Sequence, residues 1–145
     1  MKAVVQRSKE SSVSVNGKVI GSISNGLVVL LGIHVDDTAD DLNYIEKKLL
    51  NLRIFDDENG VMNKSILDAG GSILSISQFT LQADTKKGNR PSYINAMRGE
   101  EAKLLYNKFN EDLSRLVHVE TGKFGAEMIV NITNDGPVTI ILDSK

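Results

Sequence analysis

The run Leu27-Val28-Val29-Leu30-Leu31-Gly32-Ile33 is apolar almost throughout and follows the turn pair Asn25-Gly26. A strand with one wet face alternates apolar and polar residues, so a run this continuous suits a strand covered on both faces. The chain must therefore supply cover for two sides of a sheet. At 145 residues it is long enough to do so as one ordinary domain spanning residues 1–145, without staples.

The rest of the pattern supplies candidates for that cover. Val13 and Val15 alternate with serines, Asn16-Gly17 is a strong two-residue hairpin signal, and Val19 to Ile23 resumes as a strand before Asn25-Gly26. Two consecutive hairpins are predicted. From Thr38 the period changes: Leu42, Ile45, Leu49 and Leu52 recur at helical spacing, with Thr38 and Asp41 placed as an N-terminal capping pair. After the turn-rich Asp56-Asp57-Glu58-Asn59-Gly60, the segment Ser72 to Leu81 reads as a strand. A second helix is predicted from about Glu100 to Arg115, with Ala102, Leu105, Phe109 and Leu116 on one side, acidic residues at its start and Arg115 near its end. Two strands close the chain, Glu127 to Thr133 and Val138 to Leu142, joined across Asn134-Asp135-Gly136-Pro137. The expected fold is α/β and β-rich, a single domain in a layered β/β/α arrangement with two main helices.

Several function classes are disfavoured. A net charge of −2 argues against coating nucleic acid through a broad basic surface, so DNA is not expected as a partner and any RNA contact must be local. No stretch reaches the length of a membrane span, and the start lacks the apolar centre of a secretory signal; no membrane partner and a cytoplasmic location are the default expectations. Metal-ligand spacings, a serine-hydrolase elbow and phosphate-cradling glycine patterns are all missing, so no metal or cofactor is expected. The one dense basic stretch, Lys86-Lys87-Gly88-Asn89-Arg90, taken alone reads as a solvated loop.

The strand Ser72 to Leu81 has a conflict of parity. Leu74 and Ile76 point to one face while Phe79 and Leu81 take the opposite one. A bulge or strand end near Ser77-Gln78 resolves this and leaves backbone N–H groups unpaired, which suits holding a developing oxyanion. The alternative is that Phe79 and Leu81 turn into a second packing layer. In Asn134-Asp135-Gly136-Pro137-Val138-Thr139, a glycine before proline permits either an ordinary hairpin turn or an unusual backbone, and composition does not choose.

Taken together, Ser77-Gln78-Phe79-Thr80-Leu81 and Asn134-Asp135-Gly136-Pro137-Val138-Thr139 resemble the paired signature of the D-aminoacyl-tRNA deacylases. Supporting matches are Val4-Val5-Gln6-Arg7, Arg53-Ile54-Phe55, Met62-Asn63-Lys64-Ser65, Arg90-Pro91-Ser92-Tyr93 and Phe124-Gly125-Ala126-Glu127-Met128, with Tyr93 where the family often has phenylalanine. The resemblance implies a homodimeric hydrolase of aminoacyl-tRNA, clearing D-aminoacyl and also glycyl esters in the quality control of translation. Its active sites would lie at the subunit interface. There, a cis Gly136-Pro137 peptide from one subunit would leave no room for an L side chain in the other's pocket, so that rejection sets the chirality. Arg7 resembles the residue that holds this loop, and Ala102, Phe124 and Met128 match positions lining the pocket for the terminal adenosine.

An aminoacyl ester is already activated, so positioned donors and an oriented nucleophile can suffice without a cofactor. Thr80 invites the role of covalent nucleophile, but nothing near it in sequence supplies a base. The preferred reading has backbone amides around Phe79 and Thr80 binding the carbonyl or α-amino group, with Ser77 and Gln78 shaping the site; the resemblance adds the terminal 2′-hydroxyl of the tRNA as a helper of the attacking water. Lys86, Lys87 and Arg90 follow this segment closely enough to hold an acceptor-stem phosphate. The rivals are a related deacylase that clears L-alanine from tRNA and a non-catalytic tRNA-binding module.

Overall fold

A computed structural model describes all 145 residues. Strands β1 (Lys2–Ser8), β2 (Ser11–Val15), β3 (Lys18–Ile23) and β4 (Gly26–Gly32) come first. Helix α1 (Ala39–Asn51) follows, then β5 (Phe55–Asp56), β6 (Met62–Lys64), the one-turn helix α2 (Ile66–Ala69) and β7 (Ser72–Ser77). A 3-10 turn (Phe79–Gln82) and a long loop lead to α3 (Gly99–Ser114), β8 (Val119–Thr121), β9 (Ile129–Asn131) and β10 (Asn134–Asp143). The chain is a mixed α/β domain, mostly sheet, with three helices.

The apolar run becomes β4, the central strand of a five-stranded sheet ordered β10-β1-β4-β7-β8, antiparallel to β1 and parallel to β7. Strand parity splits its side chains between two cores. Leu27, Val29 and Leu31 join Leu42, Ile45 and Leu49 of α1 and Phe109 and Leu113 of α3. Val28 joins Leu74 and Ile76 of β7, with Val13 of β2 and Ile23 of β3 from a three-stranded sheet ordered β3-β2-β9. The continuous hydrophobicity thus reflects burial on both faces.

The predicted cap of α1 is present. The Thr38 amide donates to the Asp41 carboxylate at 2.9 Å and the Asp40 amide to Thr38 Oγ1 at 3.3 Å. Ser65 and Asp68 repeat this arrangement at α2, a helix the sequence reading omitted, as it did β8.

Three expectations need correction. Asn16-Gly17 does close the β2/β3 hairpin, with positive φ of 51° and 77°, but Asn25-Gly26 does not make a second one. Both edges of β4 are taken by β1 and β7, so β3 stays in the smaller sheet and the chain crosses between sheets at Gly26. That crossing requires glycine: φ is +137°, and a Cβ would lie 1.9 Å from the Ser72 carbonyl oxygen. Second, β9 and β10 are not partners across Asn134–Pro137. β9 pairs with β2, β10 pairs with β1, and residues 134–137 already belong to β10. Third, Leu116 is exposed, and the inner face of α3 carries Tyr106 and Leu113 with Ala102 and Phe109.

Candidate active site

The parity conflict marks the end of a strand. The ladder between β4 and β7 runs from Gly26↔Ser72 to Leu31↔Ser77, and the Gln78 amide then donates to the Leu31 carbonyl at 2.7 Å. Beyond that point the chain folds over Gly32, where a Cβ would sit 2.8 Å from Leu81 Cβ and 2.9 Å from the Gln78 oxygen. The absence of a side chain at Gly32 is what lets the 3-10 turn lie across the end of the central strand. Gln82, almost fully buried, fastens it there by donating from Nε2 to the Gly32 carbonyl at 2.8 Å.

The turn leaves donors free. Leu81 N donates to Gln78 O at 3.2 Å and Ala83 N to Thr80 O at 3.1 Å, so the amides of Phe79 and Thr80 precede the first bond of the turn and find no acceptor within it. Gln78 Nε2 donates to Thr80 Oγ1 at 2.6 Å.

Beside these amides is a cavity of about 310 Å³. Leu31 and Ile33 contribute its buried apolar part, and Ser77, Gln78 and Phe79 form the wall that ends β7. Opposite are Tyr93 and Met97, whose segment is pinned to the continuation of β4 by Met97 N donating to Ile33 O at 2.9 Å and Val35 N to Asn95 O at 3.0 Å. Tyr93 meets Phe79 edge to face with centroids 5.2 Å apart. Ala102 and Phe124 complete the apolar lining, and Phe124 leans on Tyr106 at 5.8 Å. Burial pushes the Tyr106 phenol above its ordinary pKa, so it stays a neutral donor, 2.8 Å from the Ser75 carbonyl. No histidine or carboxylate lines the cavity. The arrangement offers free main-chain donors at the edge of an apolar pocket, and no acid/base pair.

Of the residues singled out in the sequence, Ser77, Gln78, Phe79, Ala102 and Phe124 come together here, with Thr80 behind the wall in contact with Gln78. Met128 does not. It packs on the smaller core, and its Sδ accepts from the Lys123 amide at 3.4 Å. Lys86, Lys87 and Arg90 are exposed in a loop whose ends are clamped by Asp84 and Ser92, each donating its amide to the other's carbonyl at 2.8 and 2.9 Å. Tyr93 of the cavity follows that clamp directly, which sets the loop beside the site. Lys86 itself lines a separate polar hollow with Asp84 and Asp143.

Gly136 and Pro137 lie elsewhere on the chain, on the edge strand, and are not part of the cavity lining. Between the pairs Gln6↔Thr139 and Ser8↔Asn134, the single residue Arg7 on β1 faces four on β10, so residues 135–138 bow out of the ladder. The Gly136–Pro137 peptide is cis, and both residues are exposed. Arg7 holds the bow: Nε donates to the Asp135 carbonyl at 3.2 Å and lies 3.4 Å from its carboxylate, while Nη1 donates to the Ile54 carbonyl at 2.9 Å.

Sequence reasoning missed Gly32 and Gln82, which seat the turn, and Met97 and Arg98 of the wall. Only Gly32 left a signal, a lone glycine at the end of an otherwise unbroken apolar run. The lining from residues 93–98 comes from irregular chain that carries no periodicity.

Residues 4–143 match the family model for D-Tyr-tRNA(Tyr) deacylase. A D-aminoacyl-tRNA deacylase of Clostridium botulinum (strain Langeland / NCTC 10281 / Type F) is 60% identical over 146 residues, covering 100% of this chain and 98% of that protein. One from Clostridium novyi (strain NT) is 57% identical with the same coverage. Among solved structures, a c-Myc DNA Unwinding Element Binding Protein superposes with a TM-score of 0.95 at 48% identity, covering 100% of this chain and 99% of that one. A probable eukaryotic D-amino acid tRNA deacylase superposes with a TM-score of 0.80 at 18% identity over 97% of both chains, a likeness of fold alone.

Proposed function

The chain belongs to the D-Tyr-tRNA(Tyr) deacylase family, and on that premise we propose that it hydrolyses the ester of D-aminoacyl-tRNA to free D-amino acid and tRNA. The observation that carries the reading is the pairing of two free amides, on Phe79 and Thr80, with a neighbouring apolar cavity of about 310 Å³. A volume of that order suits a small ligand such as a nucleoside. The terminal adenosine packs between Phe124 and Ala102, and the aminoacyl ester reaches the amides at the end of β7. These donors stabilise the charge that develops as water attacks the carbonyl carbon, and the carbon–oxygen bond to the ribose then breaks. With no base near it, the Thr80 hydroxyl is not the nucleophile; the 2′-hydroxyl of the terminal ribose orients the water instead. Ser77 and Gln78 shape the wall. Lys86, Lys87 and Arg90, exposed and free of ion pairs beside the site, hold a phosphate of the acceptor stem.

Chirality is set by a second copy of the chain. Its bowed Gly136–Pro137 segment enters the cavity and occupies the space an L side chain needs, while D residues and glycine escape the clash. Two features support this. The segment is exposed and braced by Arg7, and beside it Ile141 of the edge strand is 71% exposed, an apolar side chain available for burial against a partner.

Incubating D-tyrosyl-tRNA and L-tyrosyl-tRNA with the pure protein tests the reading. Selective loss of the D ester is expected; protection of both would mean a binding module, and loss of an L ester such as L-alanyl-tRNA would mean the related deacylase. A protein that is monomeric by sedimentation yet still sorts the enantiomers contradicts the role given to the second copy.

A further inference from the structure

Phe124 also lines a second hollow of about 510 Å³, between α3 and the chain that follows β8. The two hollows therefore adjoin at this residue. The second is lined by Lys103 and Asn107 of α3 and, facing them, by Thr121 and Lys123. No aspartate or glutamate lines either one. Further along α3 the cations are neutralised: Lys108 lies 2.8 Å and Arg115 3.4 Å from Asp112. Lys103 and Lys123, like Arg98 at the first cavity, are exposed and have no carboxylate within ion-pairing distance. In a chain of net charge −2, two adjoining hollows lined by three cations and by no acid form a local attractor for phosphate, although Glu100 and Glu101 stand nearby on the first turn of α3.

We propose that this tract is the path of the single-stranded RNA leading to the terminal nucleotide, with Lys103 and Lys123 holding its phosphates. Phe124 offers one face to the terminal base in the first cavity and separates it from the preceding nucleotide, which lies in the second hollow. Asn107 and Thr121 supply hydrogen-bonding groups for ribose or base edges, and Lys103 and Lys123 neutralise the backbone. The charged loop Lys86–Arg90 stands at the other end of the cavity wall, next to Tyr93, so the two basic regions address different parts of the RNA. The proposal rests on the cavity being the seat of the terminal adenosine.

The test is direct binding of a short, unacylated single-stranded RNA with a free 3′ adenosine, titrated against salt, together with binding of adenosine alone. Lys103→Ala/Lys123→Ala is expected to weaken RNA binding about tenfold at low salt and to make the slope of log K against log[salt] shallower by about 1.4, some 0.7 for each phosphate released. Adenosine binding stays as in the parent. Equal affinity and slope in parent and variant overturn the proposal, as does a parent protein with no affinity for the RNA. A parent that binds RNA through these lysines yet leaves D-tyrosyl-tRNA intact defeats the hydrolase reading and leaves the groove standing.

Discussion

Gln78 Nε2 donates to Thr80 Oγ1 at 2.6 Å, within the 3-10 turn that ends the wall of the cavity. The Thr80 hydroxyl is thereby an acceptor for an amide, which cannot take its proton. An unactivated hydroxyl in that setting clips the 3-10 turn, and in the mechanism we propose the chemistry falls to the backbone.

The turn depends on its seat. Gln82→Leu removes the 2.8 Å bond to the Gly32 carbonyl from a buried position and is expected to cost about 1–2 kcal/mol of stability. On the proposed mechanism the Phe79 and Thr80 amides must be held within a fraction of an ångström, so kcat for D-tyrosyl-tRNA should fall by about tenfold or more. Denaturant titration and single-turnover kinetics check this, and parental values for both would show that Gln82 does not seat the turn.

Arg7 is the brace of the bowed segment. Arg7→Ala removes its bonds to the Asp135 and Ile54 carbonyls, at 3.2 and 2.9 Å, and releases residues 135–138. The ratio of D- to L-tyrosyl-tRNA hydrolysis is expected to fall by about tenfold, consistent with the loss of a charged hydrogen bond worth roughly 1.5–3 kcal/mol. An unchanged ratio would remove Arg7 from the control of chirality.

Glu46 of α1 sets a pH dependence unrelated to catalysis. Its Oε1 is buried without a hydrogen-bond partner. Burial first, and then the Asp112 carboxylate, push its pKa up to about 7 against the opposing pull of Lys108. The unfolded chain releases this proton near the ordinary value of 4.5, so between the two values only the folded state holds it. The contribution to stability is therefore complete below the unfolded value and is lost as pH rises through about 7. Glu46→Gln should stabilise the protein by about 1 kcal/mol at about pH 8, after allowance for partial exposure, and flatten the profile between about pH 5 and 7. Urea midpoints for both proteins across that range decide the matter; parallel profiles would contradict it.

The legibility of the chain followed its periodicity. The Leu27–Ile33 run, the α1 repeat with its Thr38/Asp41 cap and the parity break at Ser77-Gln78 were visible because burial and hydrogen bonding act there within one element. Partnership between elements was not visible. Asn25-Gly26 carries the signal of a hairpin, but β1 and β7 compete for both edges of β4 and win, and nothing local to residues 25 and 26 reports that competition. The cavity was half legible for the same reason: its wall from Ser77 to Phe79 lies at the end of a strand, whereas Tyr93, Met97 and Arg98 come from a loop positioned by main-chain bonds to Ile33 and Val35.

The most direct test of main-chain catalysis is the single-turnover rate of Thr80→Ala on D-tyrosyl-tRNA, measured beside a thermal melt that verifies the fold. Activity within about tenfold of the parent is expected if the Phe79 and Thr80 amides carry the reaction and the side chain only clips the turn. Complete loss of hydrolysis in a variant that melts like the parent would restore the hydroxyl as nucleophile and contradict the account.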